Sequence, residues 1–482
     1  MTETPVQPPA LTATTRLSYG AGAVALGLKD NGFSYLLLLF YNQVVGLPAA
    51  TVGLAVMIAL MVDAVFDPLI GQVSDNWRSR WGRRHPFMYA AAVPVALSYL
   101  LLWNPPQGWS EGALFLYLIA VAILIRTFLA GFEIPSAALA AELSRDYDER
   151  TRLMSYRAAF NWYGGLIMSL LTFRAFLTPT PEQPVAQLNA AGYQAYGLVS
   201  AIVMFAAILV SALGTHNRIP YLAAPPPVSA SRLQHLKDLW SAMTNRALLP
   251  MLGAGVFNAM AYGLSVALSL YFNTFFWGFS ANQVSLFILA QFGSSALAIG
   301  LSGPLSVRLG KRDAAILCKV LAPAFGVAPI LLRLAGVFPA DGSPALLPVM
   351  LFAHLTSVTC ASVVAILHSS MCADVVEDQE LKSGRRSEGV MAAANIFVAK
   401  TVSGVGIFAS GALLTLVGFP EGARPGEVKP EVIRNLALVY VPALIVLHGC
   451  AIAFLFRYRI TRESHARTLE ALAIRRSGPA AQ

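Results

Sequence analysis

About twelve stretches of roughly twenty mostly apolar residues recur along this 482-residue chain, and each is long enough to cross a bilayer as one helix. They run at roughly 17–41, 51–73, 87–103, 113–141, 155–177, 193–213, 247–273, 283–307, 313–336, 345–372, 389–418 and 432–457. In hydrocarbon, backbone N–H and C=O groups must be satisfied within the segment, so runs of this length fold as helices. The chain is 56% hydrophobic and only 12% charged, whereas soluble domains carry about 25% charged residues. That excludes disordered, collagen-like and disulfide-stapled secreted classes. The expected fold class is all-α and integral to a membrane, with about twelve transmembrane helices.

The charges orient these runs. With the N-terminus inside and the runs alternating, 25 of the 34 Lys and Arg fall in inside segments and 3 in outside ones. This is the bias of the positive-inside rule. The net charge of +9 therefore arises mainly on the expected inner face, and nucleic acid is not an expected partner. Trp77, Trp81, Trp103, Trp109, Trp240 and Trp277 sit near run ends as an aromatic belt, while Trp162 lies within a run. The four cysteines show no C-x-x-C spacing and no external pair, so no disulfide framework is expected. Met1 to Ala13 is polar and Pro-rich without a basic segment, which predicts a retained first helix rather than a cleaved signal.

The longest polar break, 214–246, contains Pro220, Pro225, Pro226 and Pro227. It parts the chain into an N-tail (1–16), six runs (17–213), an inner linker (214–246), six further runs (247–457) and a basic tail (458–482). A related signature stands at the same place in each half. Gly71-Gln-Val-Ser-Asp75 leads to Gly82-Arg83-Arg84 after the second run, and Gly303-Pro-Leu-Ser-Val307 leads to Gly310-Lys311-Arg312 after the eighth. The second copy has lost the acid, with Val307 in place of Asp75. Repeats of this kind mark carriers built from two similar bundles around a midplane site. Gly71, Asp75, Gly82, Arg83, Arg84, Gly310, Lys311 and Arg312 are read as an inner-face conformational latch.

Ionised side chains at mid-bilayer cost about 2.5–3.5 kcal/mol even on a lenient scale, so those retained there point to function. Asp63 and Asp67 are four apart and share one helix face, about 6 Å apart along the axis. Like charges so placed require a bound cation, a shared proton or a nearby base. Asp30 and Lys400 lie at mid-depth in the first and eleventh runs, and Lys400 is an expected counter-charge for the acids. Glu133 precedes Pro135, which frees a carbonyl and bends the helix. Arg126, too far along the helix from Glu133 for contact, is expected in an internal ion pair. Arg174, Lys319 and Arg333 lie near run ends and are expected to snorkel, and His354 and His368 to pack.

Together these residues resemble the major facilitator superfamily, and within it the glycoside-pentoside-hexuronide:cation symporters, a family that includes the melibiose carriers. The resemblance is carried by Lys29-Asp30, by Asp63-Ala-Val-Phe-Asp67-Pro68 with Arg78-Ser-Arg-Trp-Gly-Arg83, and by Glu133-Ile-Pro135. Asp148-Glu-Arg150 with Arg157, and Ala373-Asp374 with Lys400, complete it over roughly residues 18–410. It implies two six-helix bundles. It also implies that Asp63, Asp67 and Lys400 couple the cation, while Asp30, Glu133 and Arg157 bind sugar hydroxyls. Carboxylates accept from hydroxyl pairs, and a guanidinium donates in a fork. Two neutral oxygen ligands of the sodium-using melibiose carriers are replaced here by Phe66 and Ala130, which favours a proton over sodium. The family's sugar-stacking Trp is Ala137 here, and Trp162 is the expected substitute face.

The expected function is cation-coupled symport, with a proton rather than sodium, of a sugar, glycoside or related small solute by alternating access. The expected place is the bacterial inner membrane, with both termini cytoplasmic. The expected partners are the solute, the coupling cation and the bilayer, and the chain is expected to be a monomer without cofactor or metal ion. An amphiphile such as a lysolipid is the alternative substrate. A non-transporting sensor or membrane enzyme is the remote alternative, since no H-E-x-x-H, G-x-S-x-G or P-loop motif occurs.

Overall fold

The computed structural model describes residues 9–144, 146–222, 249–383 and 388–477, without the side chains of 147, 382–399, 401 and 475–477. Most of the linker, from 223 to 246, the first eight residues, the end of the tail and the side chains of Lys382, Arg385 and Arg386 lie outside the described residues.

All regular elements among the described residues are helical. In chain order the longer ones are α1 (Ala13–Val45), α2 (Ala49–Asn76), α3 (His85–Leu102), α4 (Glu111–Leu143), α5 (Tyr147–Leu171), α6 (Ala190–His216) and α7 (Leu249–Phe276). There follow α8 (Ala281–Leu309), α9 (Lys311–Leu334), α10 (Leu346–Ser383), α11 (Glu388–Leu416), α12 (Pro430–Leu455) and α13 (Arg462–Ser477). Ten of them have the length and hydropathy to cross a membrane. The fifth is less apolar because Asn161, Trp162, Tyr163, Gly164 and Gly165 interrupt it. In the eleventh, the described apolar stretch is Val402–Leu416. The fold is an all-α, multi-pass membrane fold.

The helices are not uniform cylinders. π-helical turns occur at Gly32–Leu36 and Phe40–Val45 in α1, at Thr172–Phe176 after α5, and at Phe272–Phe276 in α7. Each inserts a residue and re-aims the side chains around it. Ser110, Asp146 and Asn189 cap α4, α5 and α6 by accepting from backbone N–H groups of the first turn.

The chain forms two compact units. The first comprises Met1–Ser229, Val266–Ser285 and Ile407–Lys429. Within it α1 and α5 approach backbone to backbone, because Gly27 faces the Asn161 carbonyl and Gly165 faces Gly27 and Asn31. A cluster of Phe40, Tyr99, Trp103, Tyr193 and Tyr196 fills its core near the other end of α1. Tyr271 Oη donates to Asn42 Oδ1 (2.8 Å), and Gln43 Oε1 accepts from Ala423 N (2.9 Å). Those bonds tie the ends of α7 and of the α11–α12 connection into this unit.

The second unit comprises Ala230–Ser265, Leu286–Gly406 and Pro430–Gln482. Its core packs α7, α9, α10 and α12 around Met251, Cys318, Leu367, Met371 and Leu455. Here α7 and α11 approach through Gly263 and Gly406, where an added Cβ on Gly406 would lie 2.5 Å from the Met260 carbonyl oxygen.

A Cβ on Gly27 would sit 1.9 Å from the Asn161 carbonyl oxygen, whereas Gly112 has open space around it. Overpacking of this kind costs about 1–3 kcal/mol, and more where backbone must move. Gly27→Leu is therefore expected to lower the thermal unfolding midpoint of the purified protein, while Gly112→Ala leaves it near wild type. Equal midpoints for the two variants would remove the close-approach argument.

Candidate functional site

The acids of α2 lie in the first unit. Arg126 Nη1 of α4 donates to Asp63 Oδ2 at 3.1 Å, and both side chains are buried. The guanidinium carbon stands 4.9 Å from the centroid of the Phe33 ring, a cation–π placement. Phe33 reaches it from the first π-helical turn of α1, so three helices meet at one ion pair. Asp67, half-buried, is one turn further along α2 and is followed by Pro68. Proline has no N–H, so the Ala64 carbonyl loses its helical donor between the two acids. The expected ion pairing of Arg126 thus has a named partner, one on another helix.

The sugar-contact residues implied by the resemblance occupy α1, α4 and α5 of the same unit. Lys29 Nζ is buried and pairs with Asp30 Oδ1 at 2.7 Å, leaving the Asp30 carboxylate more than half exposed. Arg157 is buried against α4. Its Nη1 donates to Ser136 Oγ (2.7 Å) and its Nη2 to the Glu133 backbone carbonyl (3.2 Å). Arg157 therefore grips the backbone of α4 around the Pro135 break, and Tyr19 of α1 lies against it. The Glu133 side chain is half-buried and Trp162 is exposed on α5. Lys400, on α11, belongs to the second unit and is half-buried, with Ser403 Oγ donating to its carbonyl (2.9 Å). A cavity of about 280 Å³ in the first unit lies elsewhere, among Phe40, Trp103, Gln107, Trp109 and Gln194.

The two signature loops share a positive-φ glycine immediately before the basic pair. Gly82 (φ +72°) and Gly310 (φ +81°) both occupy the left-handed half of conformational space that favours glycine. Each turn then delivers a basic side chain to a carboxylate on the fourth helix of its half. In the first unit Arg84 Nη2 meets Asp75 Oδ1 at 2.5 Å, and Arg83 and Arg84 both bond Glu142 Oε1 at 2.7 and 2.9 Å. Gly71 supplies the carbonyl that takes the Ser74 hydroxyl, and Arg84 Nη1 donates to that Ser74 Oγ (3.0 Å).

In the second unit Lys311 Nζ donates to both oxygens of Asp374 at 2.7 Å, while Arg312 pairs with exposed Asp313. Tyr458 Oη also donates to Asp374 (2.8 Å). Burial and the Asp374 carboxylate push the Tyr458 phenol well above its ordinary range, which keeps it a donor. His465 of α13 meets Glu377 at 2.6 Å. Glu142, Tyr458 and His465 carry no sequence signal of their own. Only the position of Glu142 and Asp374, each toward the C-terminal end of the fourth helix of its half, could have suggested the first.

A multi-pass helical fold with paired charges buried in its spans fits a membrane transporter, and the comparisons show the chain to be one rather than an enzyme. A family model described as "MFS/sugar transport protein" matches residues 18–462. The chain belongs to this family of the major facilitator superfamily, and is a secondary transporter. An uncharacterised symporter of Synechocystis sp. is 28% identical, with 94% of this chain and 95% of that one covered. The isoprimeverose transporter of Lactiplantibacillus pentosus is 24% identical, with 93% and 88% covered. Among solved structures, a bacterial homologue of the human lysosomal transporter Spinster, inward-facing and unoccupied, superposes with a TM-score of 0.65 at 13% identity. It covers 95% of this chain and 97% of that one. Likeness at this identity concerns the fold alone.

Glu142 accepts from two guanidinium groups, and its side chain is only 7% exposed. Removing one partner of a buried pair costs about 3–5 kcal/mol, while an exposed pair is worth about 0–1 kcal/mol. Glu142→Gln is expected to lower the thermal unfolding midpoint far more than Asp313→Asn, which breaks the exposed Arg312 pair. Similar losses in both would show that Glu142 is not the hub.

Proposed function

We propose that this transporter carries a sugar, glycoside or related small solute inward with a proton, across the bacterial inner membrane, with both termini cytoplasmic. The observation that carries the proton reading is the buried Asp63–Arg126 pair. A hard metal cation needs several oxygen ligands. Arg126 holds one oxygen of Asp63, and Phe66 and Ala130 offer no side-chain oxygen. A proton needs a single carboxylate oxygen, and Asp67 supplies it one turn away. Lys400 is assigned the balancing charge. Asp30, Glu133, Arg157 and Trp162 are assigned to the substrate. Gly71, Asp75, Gly82 to Arg84, and Gly310 to Arg312 are assigned to an inner-face latch. The relative named for isoprimeverose supports a saccharide, and exposed Trp162 supplies an aromatic face in place of the residue lost at Ala137.

The substrate is found by uptake of a panel of sugars, glycosides and lysolipids in a carrier-deficient strain. A saccharide is the expected hit, and uptake of a lysolipid alone would replace that reading. Adding the saccharide to unbuffered, sodium-free vesicles is then expected to alkalinise the medium. Strict sodium dependence without alkalinisation would overturn proton coupling.

Arg126 gives a second, separate expectation. Arg126→Gln frees an oxygen of Asp63 and leaves two acids on one helix face. Concentrative uptake is expected to fall about tenfold or more, which corresponds to about 1.4 kcal/mol, and to recover in part when sodium is added. Wild-type accumulation without sodium in this variant would show that the guanidinium plays no part in coupling.

A further inference from the structure

The second unit holds a buried cation that the acids of α2 leave unused. Lys319, eight residues into α9, is 3% exposed. It does not snorkel as its position suggested. Its Nζ donates to the Asn258 Oδ1 of α7. His368 of α10 turns its Nε2 toward Gly255 of α7, one turn before Asn258, and the Lys319 charge acts on both His368 and His448 of α12. Four helices of one unit thus converge on one polar cluster. His448 Nδ1 is buried and has no hydrogen-bond partner among the described residues. Among the described residues the groups linked to Lys319 are Asn258 from α7, His368 from α10 and His448 from α12, with Cys318 its neighbour in the chain. No described carboxylate forms an ion pair with it.

An ammonium in low dielectric needs a counter-charge or several dipoles, and here one amide oxygen answers it. A second positive charge on either imidazole would add like-charge repulsion in the same medium. The cluster therefore has room for one proton-borne charge and three nitrogen bases able to hold it. It lies about 12 Å along α9 from Lys311. From His368 the same helix leads in six residues to Asp374, which Tyr458 and Lys311 bond, and then to Glu377, which bonds His465.

We infer that Lys319, Asn258, His368 and His448 form a second proton-binding station, inside the C-terminal unit and separate from Asp63 and Asp67. The step is a proton transfer. An Nζ–H bond of Lys319 breaks, the proton joins the lone pair of an imidazole nitrogen, and the net charge of the cluster is unchanged. Release follows when a solvent water on the Lys311 side takes that proton, and rebinding reverses it. The station rests on the chain being a transporter, and not on which ion is coupled.

The test needs no substrate. Full-length protein in proteoliposomes on a solid-supported membrane is given a pH step in sugar-free buffer, and the transient charge displacement is recorded. In an Asp63→Asn/Asp67→Asn background the transient is expected to persist. Adding Lys319→Arg, which keeps the charge and the donors but cannot release its proton, is expected to abolish it. Adding His448→Gln instead is expected to shift the pH at which it is half-maximal. Loss of the transient with the two acids alone would overturn the station, and so would its survival in Lys319→Arg. A transient that depends on Lys319, alongside strictly sodium-dependent uptake, would keep the station and remove proton symport.

Discussion

Water is absent from the core of a bilayer, so every ionised side chain placed there must find its compensation inside the protein. Four of the described buried charges meet that demand in three different ways. Asp63 and Arg126 face each other as a pair, which is neutral as a unit. Arg157 spreads its donors over a hydroxyl and a backbone carbonyl around a proline break. Lys319 has one amide. The first arrangement tolerates both members charged throughout a transport cycle. The last does not, because an amide dipole offers much less than a carboxylate. Groups compensated weakly are the ones whose protonation can change.

The two signature loops show one pattern of ion pairing reached with different residues. In the first unit two guanidinium groups share Glu142, and Asp75 adds a second acid. In the second, Val307 removes that acid, yet Lys311 still finds Asp374. In both, the acid that matters comes from the fourth helix of the half. A left-handed glycine immediately before the basic pair sets the turn in each case. The loss seen between Asp75 and Val307 is therefore a loss of one arm, and the grip on the fourth helix remains.

The spans were legible because each needs its own run of apolar residues, and that demand is local. The acids were legible because charge is rare in such runs. Their partners were not. Arg126 pairs across helices with Asp63, 63 residues away, and helix spacing can rank only contacts within one helix. Lys319 failed for a related reason. Its distance from the helix end suggested snorkelling, but Asn258 on a neighbouring helix offers a nearer dipole. Trp162 and Glu133 were visible as residue types, and their exposure depends on packing that no period encodes.

Close backbone contact limits which parts can move. Gly27 and Gly165 lock α1 to α5, and Gly263 and Gly406 lock α7 to α11. These are the first and fifth helices of each half. Asp30, Arg157 and Trp162 ride on the first pair, and Lys400 rides on the second, six residues from Gly406. With backbone against backbone there is no side-chain layer to slide or repack, so each pair moves as one piece. Side chains assigned to substrate and cation therefore keep their spacing within a pair, and under the proposed latch the changes between states fall on contacts made by side chains, such as the Glu142 and Asp374 hubs. Each hub acid is itself mostly buried, so breaking a hub costs about 3–5 kcal/mol unless another partner takes its place. The span charges Asp63, Arg126 and Lys319 are buried as well, which suits them to stay fixed, or to change only by a proton.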